Sequence, residues 1–208
     1  GAADIQSSVA YDAANSSYEI SDSAGAILGD TGTVLNAGVS GVIVEDASVN
    51  AADGADLSAL EGQLDSVSNN SQSDINFSVE DSAAAVAGEL ASDNTLLDGA
   101  NDLEVTSGTT DMVGAADIQS SVAYDAANSS YEISDSSAAI LGDTGTVVNA
   151  GVSDVTVEDA FVNASDGADL SALEVQLDGV SNNTQSDVLF NVEDSAAAIA
   201  SVLATSGA

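Results

Sequence analysis

The side chains of this chain that could do chemistry are nearly all carboxylates. It carries 35 Asp and Glu and no Lys, Arg, His or Cys. A serine nucleophile would find no conventional base to take its proton. There is no thiolate and no disulfide. Two carboxylates could in principle cleave a glycoside, one as acid and one as base or nucleophile. That chemistry wants an aromatic sugar platform, and the chain offers four Tyr, three Phe and no Trp. The composition argues against catalysis, and we expect no enzyme.

What carboxylates and amides do well together is hold a hard cation, since Ca²⁺ takes about 6–8 oxygen ligands. Asn50, Asp53 and Asp56 fall in one polar stretch, and Asn163, Asp166 and Asp169 repeat it. The stretch is similar to the start of an EF-hand loop, with Asp53-Gly54 at its fifth and sixth positions. The register then fails, because the twelfth position is Leu60 and Glu61 comes one residue late. A second cluster is Asp93, Asp98 and Asp102, with Asn94 and Asn101 between them. Either loop could take Ca²⁺. The same residue types also build turns and helix caps, so each cluster has a purely structural reading beside the metal one.

The charge bounds the partners. At a formal −35 the chain repels nucleic acid and anionic membrane surfaces, both of which need Lys or Arg on the protein. Cations should gather diffusely over the whole surface. No intramolecular salt bridge is expected anywhere, and proteases that cut after Lys or Arg have no site. No run of about 18 apolar residues is present to span a membrane. No signal peptide is visible and the first residue is Gly1, which suggests a processed product or part of something longer.

Repetition organises these residues. Gly1-Ala2-Ala3-Asp4-Ile5-Gln6-Ser7-Ser8-Val9-Ala10-Tyr11 returns as Gly114-Ala115-Ala116-Asp117-Ile118-Gln119-Ser120-Ser121-Val122-Ala123-Tyr124. The offset of 113 residues holds without a gap, and roughly four in five aligned positions are identical. Residues 1–113 form one long repeat and residues 114–208 a second, incomplete one. Within each, strand-like centres fall near Ile20, Val44, Val79 and Val105, then Ile133, Val157 and Val192. Their mean spacing of about 28 residues suits one strand and one helix per rung.

Local patterning fills in the rungs. Tyr18 and Ile20 alternate with polar neighbours, as a half-buried strand does. Residues 24–28 read as a short helix and Asp30-Thr31-Gly32 as a turn. Residues 50–56 read as a polar loop. Leu57, Leu60, Leu64 and Val67 form a helical stripe over residues 56–67. Residues 68–73 read as a loop. Ile75, Phe77 and Val79 alternate as one strand, which runs into an Ala-rich helix over residues 82–91. Residues 107–110 read as a loop. The Asp-Ser pairs at Asp22-Ser23, Asp81-Ser82, Asp135-Ser136 and Asp194-Ser195 read as helix caps. Asn15-Ser16-Ser17 and Asn182-Asn183-Thr184 match the N-glycosylation triplet and are weak evidence of modification.

The phrase Val79-Glu80-Asp81-Ser82-Ala83-Ala84-Ala85-Val86-Ala87, repeated from Val192 to Ala200, resembles strand-Asp-Ser-Ala-Ala repeats of very large bacterial surface proteins, adhesin-like or surface-layer-like, of cyanobacteria and alphaproteobacteria. The resemblance implies an extracellular structural or adhesive role without catalysis. The chain departs from many such proteins in lacking Lys, and it has no Gly-Gly-x-Gly-x-Asp calcium nonapeptide.

The fold expected is α/β, a repetitive strand-helix solenoid with short parallel strands. A mostly-β solenoid or sandwich is the alternative. The function expected is that of a structural repeat segment of a secreted or cell-surface bacterial protein. It would associate with copies of itself, end to end or laterally, into a filament, layer or adhesin stalk. The alternative is an acidic calcium- or mineral-binding extracellular module.

Overall fold

The chain is seen here in a computed structural model, which describes residues 1–67, 74–182 and 187–206. The expected loop over residues 68–73 and the triplet Asn182-Asn183-Thr184 fall wholly or partly outside them.

The first long repeat opens with helix α1 (Ala2–Gln6) and strand β1 (Tyr18–Asp22). Short helices α2 (Ala24–Gly29) and α3 (Thr31–Val34) follow, then β2 (Val39–Val44), helix α4 (Ala51–Val67) and β3 (Asp74–Asn76). Next come β4 (Val79–Ser82), α5 (Ala83–Leu90), β5 (Leu103–Ser107) and β6 (Thr109–Thr110). The second repeat runs through α6 (Met112–Ser120), β7 (Tyr131–Asp135), α7 (Ser137–Gly142), α8 (Thr144–Val147) and β8 (Val152–Val157). It continues with α9 (Ala164–Asp178), β9 (Val188–Leu189) and α10 (Ala196–Ser206).

The protein is α/β. Its strands lie in three sheets, ordered β1-β2-β3, β4-β5 and β6-β7-β8-β9. Every pairing among the described residues is parallel. This follows from the connections. A helix between strands returns the chain to the same end of the sheet, whereas a hairpin would need a two-residue turn. Isolated parallel bridges at Val49–Val79, Leu103–Tyr124 and Val162–Val192 link neighbouring segments further. Helices pack in the same succession: α2 on α4, α4 on α5, α5 on α6, α7 on α9 and α9 on α10.

The core is one continuous cluster, mostly Val, Leu, Ile and Ala with Phe77, Met112 and Tyr131, running from Ala24 to Val188. Small side chains let helix and strand approach closely. A Cβ on Gly54 would stand 2.6 Å from Val79 Cγ2, and one on Gly114 would stand 2.8 Å from Ala87 Cβ. Two tyrosines tie a strand to a helix. The Gln119 amide donates to Tyr131 Oη and to the Thr146 carbonyl, both at 2.8 Å, and Gln6 makes the same pair of bonds to Tyr18 and Thr33.

Several local expectations need correction. The polar loop expected over residues 50–56 is the start of α4, which begins at Ala51 rather than near residue 56. Asn50 caps it, so polar residues that look like loop formers are the exposed face of a first turn. Asp30-Thr31-Gly32 is the cap and opening of α3. The single strand expected through Ile75, Phe77 and Val79 is two. β3 pairs with β2 and β4 with β5, because the chain changes sheets between Asn76 and Val79. The loop expected over residues 107–110 contains β6, entered through Gly108 at φ 86°, a backbone conformation that favours glycine.

Candidate functional site

The carboxylates have no basic side chain to meet, so they meet amides and hydroxyls. The recurrent arrangement is an aspartate that joins two neighbouring segments. Asp81 Oδ1 accepts the amide of Ser82 at 2.7 Å, and Oδ2 accepts the amide of Ala51, the first residue of α4, at 3.0 Å. Asp135 does the same with Ser136 and Met112, at 2.6 and 3.1 Å. Asp194 does so with Ser195 and Ala164, at 2.6 and 3.1 Å. Asp46 and Asp159 reach the amides of Ala24 and Ser137, at 2.7 and 2.6 Å. Each therefore places a negative charge at the N-terminus of the preceding segment's helix, where free amides and the helix dipole favour it. The Ser137 hydroxyl and amide hold Asp159 below the usual carboxylate range. The amides of Ala164 and Ser195 do the same for Asp194.

This adds a second partner to the reading of the Asp-Ser pairs as helix caps, which holds at three of the four. The serine is the local cap where there is one. Ser23, Ser136 and Ser195 accept from the amide three residues on, while Ser82 makes no such bond. The aspartates Asp81, Asp135 and Asp194 cap the neighbour's helix. Sequence reasoning saw the residues and missed the partner, because the bond spans 22–30 residues.

Hydroxyls serve the glutamates in the same way. Ser21 donates to Glu45 at 2.7 Å, Ser48 to Glu80 at 3.1 Å, and Ser134 to Glu158 at 3.0 Å. The salt bridge among the described residues is made by the N-terminal amine with Asp4, at 2.8 Å. It overturns the expectation that none could form, because the N-terminal amine carries the positive charge that no side chain here supplies.

The residues singled out for a cation are distributed as follows. Asn50 Oδ1 accepts the Asp53 amide and its Nδ2 donates to the Asp53 carboxylate, both at 2.9 Å. Asn163 and Asp166 repeat this cap. Asp56 and Asp169 sit one turn further along α4 and α9, exposed. Asp93 folds onto the Thr95 amide and hydroxyl, which lower its pKa, the hydroxyl contributing most. Asp98 accepts from the Ser121 hydroxyl at 2.8 Å and the Val122 amide at 3.0 Å. Asp93, Asp98 and Asp102 thus serve three different places.

Asp102 alone among them joins a carboxylate cluster. Asp102, Glu104 and Asp125 bring oxygens within 4.8 Å of one another, all half-buried. The backbone explains the convergence. β5 carries Glu104 directly opposite Glu80 on β4, and the Leu103–Tyr124 bridge sets Asp125 on the other side. Desolvation pushes the Glu104 carboxyl up, and the neighbouring Asp102, Glu80 and Asp125 push it further. The Asn128 side chain and the Ala127 amide hold Asp125 down. Three carboxylates at this spacing are oxygen ligands of the kind a hard cation takes. Glu104 and Asp125 escaped sequence reasoning because 20 intervening residues separate them along the chain.

Among the described residues, no helix is long and apolar enough to cross a membrane. No family model, no curated protein and no solved structure matches the chain.

Proposed function

We propose that the chain is a structural segment of an extracellular, cell-surface bacterial scaffold, folded as a strand-helix solenoid and continued end to end by further copies. The observation that carries this reading is the aspartate joint, which recurs at Asp46, Asp81, Asp135, Asp159 and Asp194 and each time ties one segment to the next. A fold whose segments hold only their neighbours grows by repetition in one direction. The parallel strands, each paired to a strand close by in sequence, support the same geometry. A surface of −35 formal charge keeps such an array hydrated and free of sites for trypsin-like proteases. The extracellular role rests on this chemistry and on the resemblance of the repeated phrase to bacterial surface repeats.

The test is a set of tandem proteins carrying two, four and six copies of residues 1–113. If each copy adds four strand-helix rungs to a stack, the particle lengthens by about 19 Å per copy, from a strand spacing of roughly 4.8 Å. Small-angle scattering and electron microscopy read that length. A radius of gyration growing only as a compact globule's, as about the 0.38 power of length, would exclude the solenoid.

A second reading, a calcium-binding module, is favoured by the cluster of Asp102, Glu104 and Asp125. Calorimetric titration separates the two. One tight, countable site abolished by Glu104→Gln supports the module. Weak binding that cannot be counted and does not change in that variant supports the scaffold alone.

A further inference from the structure

The near-identity of the two long repeats makes the first a template for the second. The comparison exposes two apolar faces that are open in one copy and closed in the other.

The first face is on α10. Leu90 and Val86 of α5 are 1% and 0% exposed, but their counterparts Leu203 and Ile199 are 67% and 37% exposed. Val79 is buried while Val192 is 44% exposed. A groove of about 380 Å³ runs between α9 and α10, past Gly167, Phe190, Val192 and Leu203. In the first repeat the matching place holds Leu97, fully buried and close to Gly54. There the strand edge is also taken, since the Val79 amide donates to the Asp102 carbonyl at 2.8 Å.

The second face is on β1 and α1. Ile5 is 49% exposed, but its counterpart Ile118 is fully buried. Tyr18 and Ile20 are half-buried, where Tyr131 and Ile133 are buried. A groove of about 460 Å³ passes Ile5, Tyr18, Ile20, Asp22 and Ile27. In the second repeat the matching edge is occupied by Thr109 and Thr110, which pair with Glu132 and Ile133. The Met112 amide bonds Asp135 there, the counterpart of Asp22.

What closes both faces is one segment, joined on α5 by α6, the helix that it opens. Residues 96–113 occur once in the chain, between the two copies. Their Leu97 and Asp102 end covers α5 and β4, and their Thr109 to Met112 end covers β7. We infer that the α10 face and the β1 face are the two halves of a single socket, whose partner is a strand-and-turn segment with the chemistry of residues 96–113. Such a segment seats a leucine against Gly167, adds a parallel strand beside Val192, and offers its other edge to β1 of a second copy. Its helix-opening amide meets Asp22. It is the joint through which copies of this chain continue head to tail. The inference rests on the end-to-end growth proposed above and gives that growth its contact.

The experiment mixes the full 208-residue chain with a synthetic peptide of residues 96–113. The buffer holds about 1 M salt, where charge repulsion is screened to about 3 Å. Sedimentation velocity and calorimetry read the outcome. Equimolar binding together with species larger than the chain alone supports the joint. No binding overturns it, and so does binding that leaves the chain's sedimentation unchanged, because one face alone is then used. Leu203→Glu lies on an exposed residue, and circular dichroism checks that it folds. It should weaken peptide binding at least about tenfold. A peptide with Leu97→Asp should fail in the same way, and undiminished binding by either variant also overturns the joint. Tandem proteins that form rods while the peptide does not bind would sink this inference and leave the scaffold standing.

Discussion

The Asp81 carboxylate reaches the amide of Ala51 across 30 residues, at 3.0 Å, while its other oxygen holds Ser82 at 2.7 Å. One side chain thus ends its own strand and caps a neighbour's helix. In a chain without Lys or Arg it joins two segments as an ion pair does elsewhere, with backbone amides as the donors. Asp22 holds Ser23 at 2.8 Å in the same way, but among the described residues no helix amide meets its second oxygen.

That contrast sets the first prediction. Asp81→Ala removes a helix cap and should cost about 0.5–2 kcal/mol. Asp22→Ala removes the local bond alone and should cost less. Chemical denaturation of the two variants beside the parent reads the difference. Equal losses would mean that the cross-segment bond contributes nothing.

Leu90 and Leu203 occupy matching positions in the two repeats with opposite exposure. Leu90→Ala opens a cavity in a packed core and should cost about 2–5 kcal/mol. Leu203→Ala should stay within about 0.5 kcal/mol, as exposed substitutions do. Thermal or urea unfolding of both variants checks the pair.

Two glycines should respond with opposite signs. Gly62 lies inside α4 with open space where a Cβ would go, so Gly62→Ala should stabilise the chain by up to about 1 kcal/mol. Gly54→Ala would drive a methyl group to 2.6 Å from Val79 Cγ2 and should destabilise it by about 1–3 kcal/mol. The native Val175 at the counterpart of Gly62, exposed on α9, agrees with the first half.

Stability should peak at mildly acidic pH. Glu104 and Glu61 have carboxyls raised by burial and by neighbouring acids. The folded state holds their protons more tightly than the unfolded chain does, so stability falls as pH rises through that window toward neutrality. Asp159 and Asp194 are depressed by hydrogen bonds. Their contribution is complete above the ordinary aspartate range, near 3.9, and is lost as pH falls through their lower folded values. Melting temperatures from pH 3 to pH 8 should therefore trace a dome, and a monotonic rise to pH 8 would contradict it.

Glu80 and Glu104 stand directly opposite each other on paired strands. Glu104→Gln should raise stability by roughly 0.2–1 kcal/mol at low salt, since facing like charges destabilise a sheet. The gain should shrink as salt screens the pair. Unfolding curves at low and high salt read both effects.

The sequence alone determined what periodicity and composition control. The 113-residue duplication, the strands at Ile20, Val44, Val79, Val105, Ile133 and Val157, the Ala-rich α5 and the parallel pairing were all legible from it. Alternation, small-residue helices and missing hairpin turns are local properties, so a local pattern records them. The absence of basic residues was equally plain, and with it the need for carboxylates to find other donors.

Only the tertiary structure decided which donors those are. Asp81 looks like the cap of its own helix because capping is usually local. The packing of one segment against its neighbour instead carries its second oxygen to Ala51. Asn50, Asp53 and Asp56 read as a loop because a helix's first turn and a polar loop draw on the same residues. The strand register placed Glu104 between Glu80 and Asp125, which no spacing along the chain announces. The same leucine is core at 90 and surface at 203 because burial depends on the neighbouring segment, and a repeated sequence carries no mark of which neighbours its copies meet.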